Sequence, residues 1–249
     1  MSLYDDHVEL YDIAFSWDFG DEVEWLIERL GQGCRSVLEP GCGTGRMLEA
    51  LARAGFAVVG IDNAPAMVAF ARSRLAAAGV AAEVVEADMT TFDLDRTFDG
   101  AVCPINTLLH LAPGDLALHL ERMARHLEPG ARYLVQVGVF DGPELPPPSE
   151  WNAERGDVGF RITWSPTTRD ADRGREEHRS RIEFTSGPRR GEVLEESHVM
   201  TAWTSAAWRE TIRASPFVEV ATYDGSESGR PQIELERGGG LIWHELVAS

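Results

Sequence analysis

Apolar and polar positions alternate with two different periods along this chain. Between Asp21 and Leu30, Val23, Leu26, Ile27 and Leu30 share one helical face, and Gly31 is placed to cap its end. Ser36 to Glu39 is a short strand that runs into a glycine-rich turn, and Arg46 to Ala54 is a helix with Met47, Leu48 and Leu51 inward. Phe56 to Ile61 is an apolar, β-branched strand; the next helix opens near Pro65, runs to about Ala78 and stops at Gly79. Ala82 to Val85 and Phe98 to Cys103 supply further strands. Leu116, Leu120, Met123 and Leu127 recur at helical spacing up to Glu128-Pro129-Gly130, and Ala131 to Val139 is a fifth strand. Strand and helix alternate throughout residues 36–139, which predicts a parallel sheet with helices on both faces.

The period then changes to two. Pro143 to Pro148 holds four prolines and reads as an extended linker or lid stem. Phe160 to Trp164, Arg179 to Phe184 and Val193 to Trp203 are strand candidates of an antiparallel lobe, separated by turns at Asp170–Gly174 and Ser186–Gly191. Thr204 to Ala214 is a helix capped by Thr204, and Val218–Tyr223 and Leu241–Leu246 are the last strands. The reading is a single domain over 1–249, its core formed by 21–140 and 204–249 and its inserted substrate lobe by 141–203. Trp151, Trp164, Trp203 and Trp208 serve either an apolar pocket in the lobe or ordinary core packing.

Composition narrows the chemistry. All 23 basic residues are Arg, so no lysine Schiff base, phosphate-loop Lys or Tyr-x-x-x-Lys dehydrogenase site can come from this chain. The net charge of −18 argues against a nucleic-acid partner. Cys34, Cys42 and Cys103 form no CxxC pair and read as reduced thiols of a cytoplasmic protein. No apolar run suits a membrane span, the acidic N-terminus is not a signal peptide, and no metal-ligand spacing is visible.

The most informative stretch is Glu39-Pro40-Gly41-Cys42-Gly43-Thr44-Gly45-Arg46. Glycines between a strand and a helix let a ligand approach the backbone, and the first amides of the helix favour an anionic group. The dinucleotide fingerprint G-x-G-x-x-G would need glycine where Arg46 stands, which disfavours an oxidoreductase. Glu39 at the strand end is poorly matched to a pyrophosphate and well matched to an ammonium or sulfonium. Asp62, 21 residues after Gly41, can accept both hydroxyls of a ribose. Asp88, after the third strand, can accept from the exocyclic amine of adenine, with Met89 as an apolar edge.

Glu39-x-Gly41-x-Gly43-x-Gly45, Gly60-Ile61-Asp62, Glu86-Ala87-Asp88-Met89, Phe98 to Cys103 and Leu127-Glu128-Pro129-Gly130 together resemble the ordered motifs of class I S-adenosylmethionine-dependent methyltransferases. The resemblance covers roughly residues 36–140. It implies an α/β, Rossmann-like, doubly wound sheet of seven strands with the last antiparallel, here carrying the inserted antiparallel β lobe. It implies that Gly41, Gly43 and Gly45 line the methionine part of the cofactor, that Glu39 faces its ammonium, and that Asp62 with Asn63 adjacent binds the ribose. Asp88 and Met89 would bracket adenine, and Pro104 would offer its carbonyl near the methionine or the acceptor. Arg46 is a candidate for the methionine carboxylate, with a solvated first-turn Arg as the alternative. Tyr11 is a candidate to close over the same carboxylate. His110, just beyond the fourth strand, is the candidate general base.

The implied reaction is transfer of a methyl from S-adenosyl-L-methionine to an N or O nucleophile of a small molecule. A non-catalytic S-adenosylmethionine-binding protein is the alternative. The Tyr-rich N-terminus, proline-rich segment and antiparallel lobe resemble the small-molecule N-methyltransferases that act on amino sugars. Neither nucleic acid nor membrane is an expected partner; a homodimer is compatible with the sequence.

Overall fold

The computed structural model describes residues 3–142, 144–170, 174–235 and 241–249. Pro143 of the proline segment and the centre of the Asp170–Gly174 turn lie outside the described residues. In chain order the elements are α1 (Val8–Ala14), α2 (Gly20–Leu30), β1 (Ser36–Pro40), α3 (Arg46–Arg53), β2 (Ala57–Asp62), α4 (Pro65–Ala78), β3 (Ala82–Glu86) and β4 (Phe98–Cys103). A 3-10 turn (Thr107–His110), α5 (Pro113–Arg125) and β5 (Leu127–Gln136) follow. Next come β6 (Ser149–Arg155), β7 (Val158–Asp170), β8 (Arg175–Phe184), β9 (Val193–Thr201), α6 (Ser205–Arg213), β10 (Phe217–Asp224) and β11 (Ile242–Ala248).

The described chain forms two compact units, Phe19–Asp141 with Trp203–Ser249, and Met1–Asp18 with Gly142–Ala202. The larger holds a seven-stranded sheet in the order β10-β11-β5-β4-β1-β2-β3. Strands β1 to β5 pair in parallel, and β11 runs antiparallel to both β5 and β10. This is the expected doubly wound sheet with its last strand reversed. The strand order turns around at β1, whose neighbours are β2 and β4, so the crevice beyond their carboxyl ends is the place for a ligand.

One core lies under α5 and α6, with Leu38, Ile61, Leu120, Tyr133 and Trp208 fully buried. The other lies under α2, α3 and α4, with Leu26, Leu48, Leu51 and Trp243. Trp203 and Trp208 sit in the first of these, edge to face at 5.9 Å, so core packing is their role. Strand β5 begins at Leu127, four residues before the expected start. Its pairing with β4 shifts register as the chain passes Pro129 and left-handed Gly130, an irregularity that hides the strand's first residues from a period-two reading. Thr204 caps α6 as expected, its hydroxyl accepting from the Ala207 amide at 3.1 Å.

The smaller unit is an antiparallel sheet in the order β6-β7-β8-β9. Phe160, Ile162, Ile182 and Phe184 bury one end of its inner face against Leu3, Ile13 and Ala14. The sequence pattern shows neither α1 nor β6. α1 is only 7 residues long and has no side-chain cap, and β6 turns only Trp151 and Ala153 inward. Both are fastened by long-range bonds: Trp151 Nε1 donates to the Ala14 carbonyl at 2.7 Å, and Arg155 pairs with buried Asp12 at 2.8 Å. The other end of the face is polar. Trp164 stacks on His198 with centroids 4.7 Å apart and donates to His178 Nδ1 at 2.8 Å, while His178 pairs with Glu176 at 2.7 Å.

Candidate functional site

Strand β1 delivers Glu39 and Pro40 to the turning point of the sheet, and the chain then makes a loop that only glycine permits. Gly41, Gly43 and Gly45 have φ of 65°, 52° and 76°, left-handed at every second position. A Cβ on Gly41 would stand 2.4 Å from the Thr107 methyl and 3.1 Å from Met89 Cε. The bare backbone therefore brings together the loops that follow β1, β3 and β4. Gly60 on β2 plays the matching part below, since a Cβ there would strike Cys42 Sγ at 2.7 Å.

Two acids shape the loop. Asp62, at the end of β2, accepts from the Gly43 amide at 2.8 Å through Oδ2 and from the Ala64 amide at 2.9 Å through Oδ1. Glu39 is 3% exposed and accepts from the backbone of Leu48, in the first turn of α3. Its Oε2 is buried without a hydrogen-bond partner. Burial, and then the charge of Asp62, push its carboxyl well above the usual carboxylate range. A buried carboxyl whose ionised form is disfavoured in this way is completed by a cationic donor, and an α-ammonium meets that need. The residues present therefore fit S-adenosylmethionine.

Asp88 is exposed and fastened to its own turn: the Thr90 amide and hydroxyl donate to Oδ1 at 2.7 and 2.6 Å. The Thr90 hydroxyl bond holds its pKa below the ordinary value. Met89 is half-buried and Asn63 exposed. Arg46 opens α3 with its guanidinium 4.5 Å from the Phe19 ring centroid. Pro104 is buried, and its carbonyl accepts from both the amide and the hydroxyl of Thr107, at 3.3 and 2.8 Å. Those bonds engage both of its lone pairs. His110 ends the 3-10 turn and is exposed. Tyr11 belongs to the smaller unit, where its ring lies 5.6 Å from that of Tyr4 and 4.5 Å from that of Phe15.

The loop after β4 holds residues that the sequence pattern does not single out. Ile105 and Asn106 are both left-handed, at φ 56° and 57°. Asn tolerates this conformation, but a β-branched residue is strained there by about 1–3 kcal/mol. Two bonds from the end of β5 hold the pair. The Ile105 amide donates to Gln136 Oε1 and the Gly138 amide to Asn106 Oδ1, each at 2.7 Å. Thr107 is thereby pressed onto Gly41. Only the Asn of this pair carries a sequence signal for the turn; Gln136 acts 31 residues away and carries none. Among the described residues no group of three or more His, Cys, Asp or Glu is placed to hold a metal ion, and no helix is long and apolar enough to cross a membrane.

Residues 37–130 match the profile of the methyltransferase domain family. A dTDP-3-amino-3,6-dideoxy-alpha-D-glucopyranose N,N-dimethyltransferase of Streptomyces fradiae is 30% identical over 233 residues, covering 89% of this chain and 87% of that protein. A cypemycin N-terminal methyltransferase of a Streptomyces species is 29% identical over 249 residues, covering 95% of each. Among solved structures, an amino pentose methyltransferase of Micromonospora echinaspora with S-adenosylmethionine bound has a TM-score of 0.76 at 21% identity, over 100% of this chain and 99% of that one.

Proposed function

The chain belongs to the class I S-adenosylmethionine-dependent methyltransferases and transfers a methyl group to a small-molecule acceptor; from that premise we propose that the nucleophile is the amino group of an amino sugar. The observation that carries this reading is the likeness to an amino-sugar N,N-dimethyltransferase, which extends over 89% of the chain and so beyond the cofactor motifs.

When bound, S-adenosylmethionine supplies a methyl on a sulfonium, already a good electrophile. The protein's work is then mainly alignment, for which effective molarities reach about 10^5 M or more. In the proposed site Glu39 holds the methionine ammonium, and Gly41, Gly43 and Gly45 let the backbone close on the methionine, with Arg46 at its carboxylate. Asp62 and Asn63 take the ribose, and Asp88 and Met89 bracket adenine. Pro104 and Thr107 shape the floor on the acceptor side. His110 takes the proton from an amine that arrives as an ammonium, freeing the nitrogen lone pair that attacks the methyl. The smaller unit, which carries Trp164, His178 and His198 at the polar end of its β7–β9 face, is proposed to set acceptor choice. The cytoplasm is the proposed compartment, supported by three buried free thiols, and a homodimer is the proposed assembly.

The test is mass spectrometry of dTDP-3-amino-3,6-dideoxyglucose incubated with enzyme and S-adenosylmethionine. The expected product carries one or two methyl groups on nitrogen. A peptide α-amine is the second reading, favoured by the 95% coverage of the cypemycin enzyme. Methylation of a peptide N-terminus with no reaction of the amino sugar would replace the first reading by the second.

A further inference from the structure

Beneath the loop of Asp88 and Met89 runs a buried polar chain that the proposed reaction does not use. His119 on α5 and Tyr133 on β5 are both 0% exposed. His119 Nδ1 lies 3.0 Å from the Met89 carbonyl and Nε2 lies 2.8 Å from the Tyr133 hydroxyl. A carbonyl only accepts, so Nδ1 carries the hydrogen and Nε2 accepts from Tyr133. Burial takes the imidazole pKa down to about 4, which keeps the ring neutral near pH 7 and its tautomer single.

The consequence is felt at one peptide. The carbonyl of Met89–Thr90 takes the His119 hydrogen, and its amide, on Thr90, donates to Asp88 Oδ1 at 2.7 Å. The peptide is therefore held at both edges, and one of its two holders is the carboxylate placed to read the base. A rotation of that peptide would carry Asp88 with it.

We infer that the Tyr133–His119 pair is a positioning device for base recognition: by fixing the Met89–Thr90 peptide it fixes Asp88, and so sets the preference for a 6-amino over a 6-oxo purine in the bound nucleoside. This rests on the proposed placement of adenine at Asp88 and Met89.

The experiment titrates S-adenosylhomocysteine and its 6-oxo analogue, S-inosylhomocysteine, into the full-length wild type and three variants by calorimetry. Wild type should prefer the adenine ligand by about tenfold, the worth of one hydrogen bond to a charged acceptor. His119→Leu should lose most of that preference, and Tyr133→Phe, which strips His119 of its donor, should lose part of it. His119→Gln, able to donate to Met89 and accept from Tyr133, should restore it. A merely structural role weakens both ligands equally and leaves the ratio intact, and that result overturns the inference. Should His119→Leu fail to fold, the near-isosteric Tyr133→Phe decides alone. A wild type that binds both ligands equally overturns the placement of adenine and this inference with it. A wild type that binds neither overturns the cofactor site itself.

Discussion

Removing the Asp62 carboxylate should expose two separate functions of one side chain. In the protein it organises the glycine loop, through bonds of 2.8 and 2.9 Å from Gly43 and Ala64. In the complex it is assigned the ribose hydroxyls. Hydrogen bonds to a charged group are worth roughly 1.5–3 kcal/mol each, but Asp62 is only half-buried, so the freed amides of Asp62→Ala regain some water. The loss of stability is therefore about 2 kcal/mol in total, equivalent to a fall in Tm of roughly 4–8 °C for a chain of this size. The lost ribose bonds add about 1.5–3 kcal/mol to binding, a 10- to 100-fold weaker S-adenosylhomocysteine. Asp62→Asn keeps one acceptor oxygen and should lie midway. Loop disorder alone also weakens binding, so the assay pairs S-adenosylhomocysteine with its 2′-deoxy analogue, by calorimetry, in wild type and Asp62→Ala. The deoxy ligand should bind at least about tenfold more weakly than its parent to wild type and nearly as well as its parent to the variant, the pattern of two groups in direct contact. An undiminished penalty for the deoxy ligand in Asp62→Ala would refute the ribose assignment, whatever the Tm.

Three further outcomes are expected. Because burial raises the Glu39 carboxyl, the stability it lends when neutral is present at low pH and lost as pH rises through the raised value; a bound ammonium lowers that value. Cofactor binding should then release a proton and tighten with rising pH, seen as binding heats that differ between buffers of unlike ionisation enthalpy, while Glu39→Gln should bind with equal heats. Gly60→Ala places a methyl against Cys42 and Leu48 and should cost about 1–3 kcal/mol on thermal unfolding; an unchanged Tm would mean that the glycine loop has room to yield. His110→Ala should lower kcat for amine methylation about 100-fold at neutral pH, with recovery at higher pH as the amine arrives unprotonated; a flat profile at the wild-type rate would remove His110 from the chemistry.

The parallel sheet and the left-handed glycine loop were legible along the chain because each is written in short-range terms. A strand buried on both faces must be apolar throughout, as Val58 to Ile61 is, and a left-handed position favours glycine, as at 41, 43 and 45. Asp62 and Asp88 announce themselves by following such strands. Other features obey no local period. α1 and β6 exist through long-range bonds such as Trp151 to Ala14, 137 residues apart. The strained turn at Ile105 and Asn106 is held by Gln136, which accepts from the Ile105 amide, and by Gly138, whose amide donates to Asn106, both at the far end of a neighbouring strand. Nothing in the sequence around His119 marks it, and its partners, Tyr133 and Met89, are set beside it only by the packing of α5 against β5. Apolar periodicity tells which face of an element is covered, but a buried polar group is satisfied by partners that the fold brings from elsewhere, and their identity is a property of three dimensions.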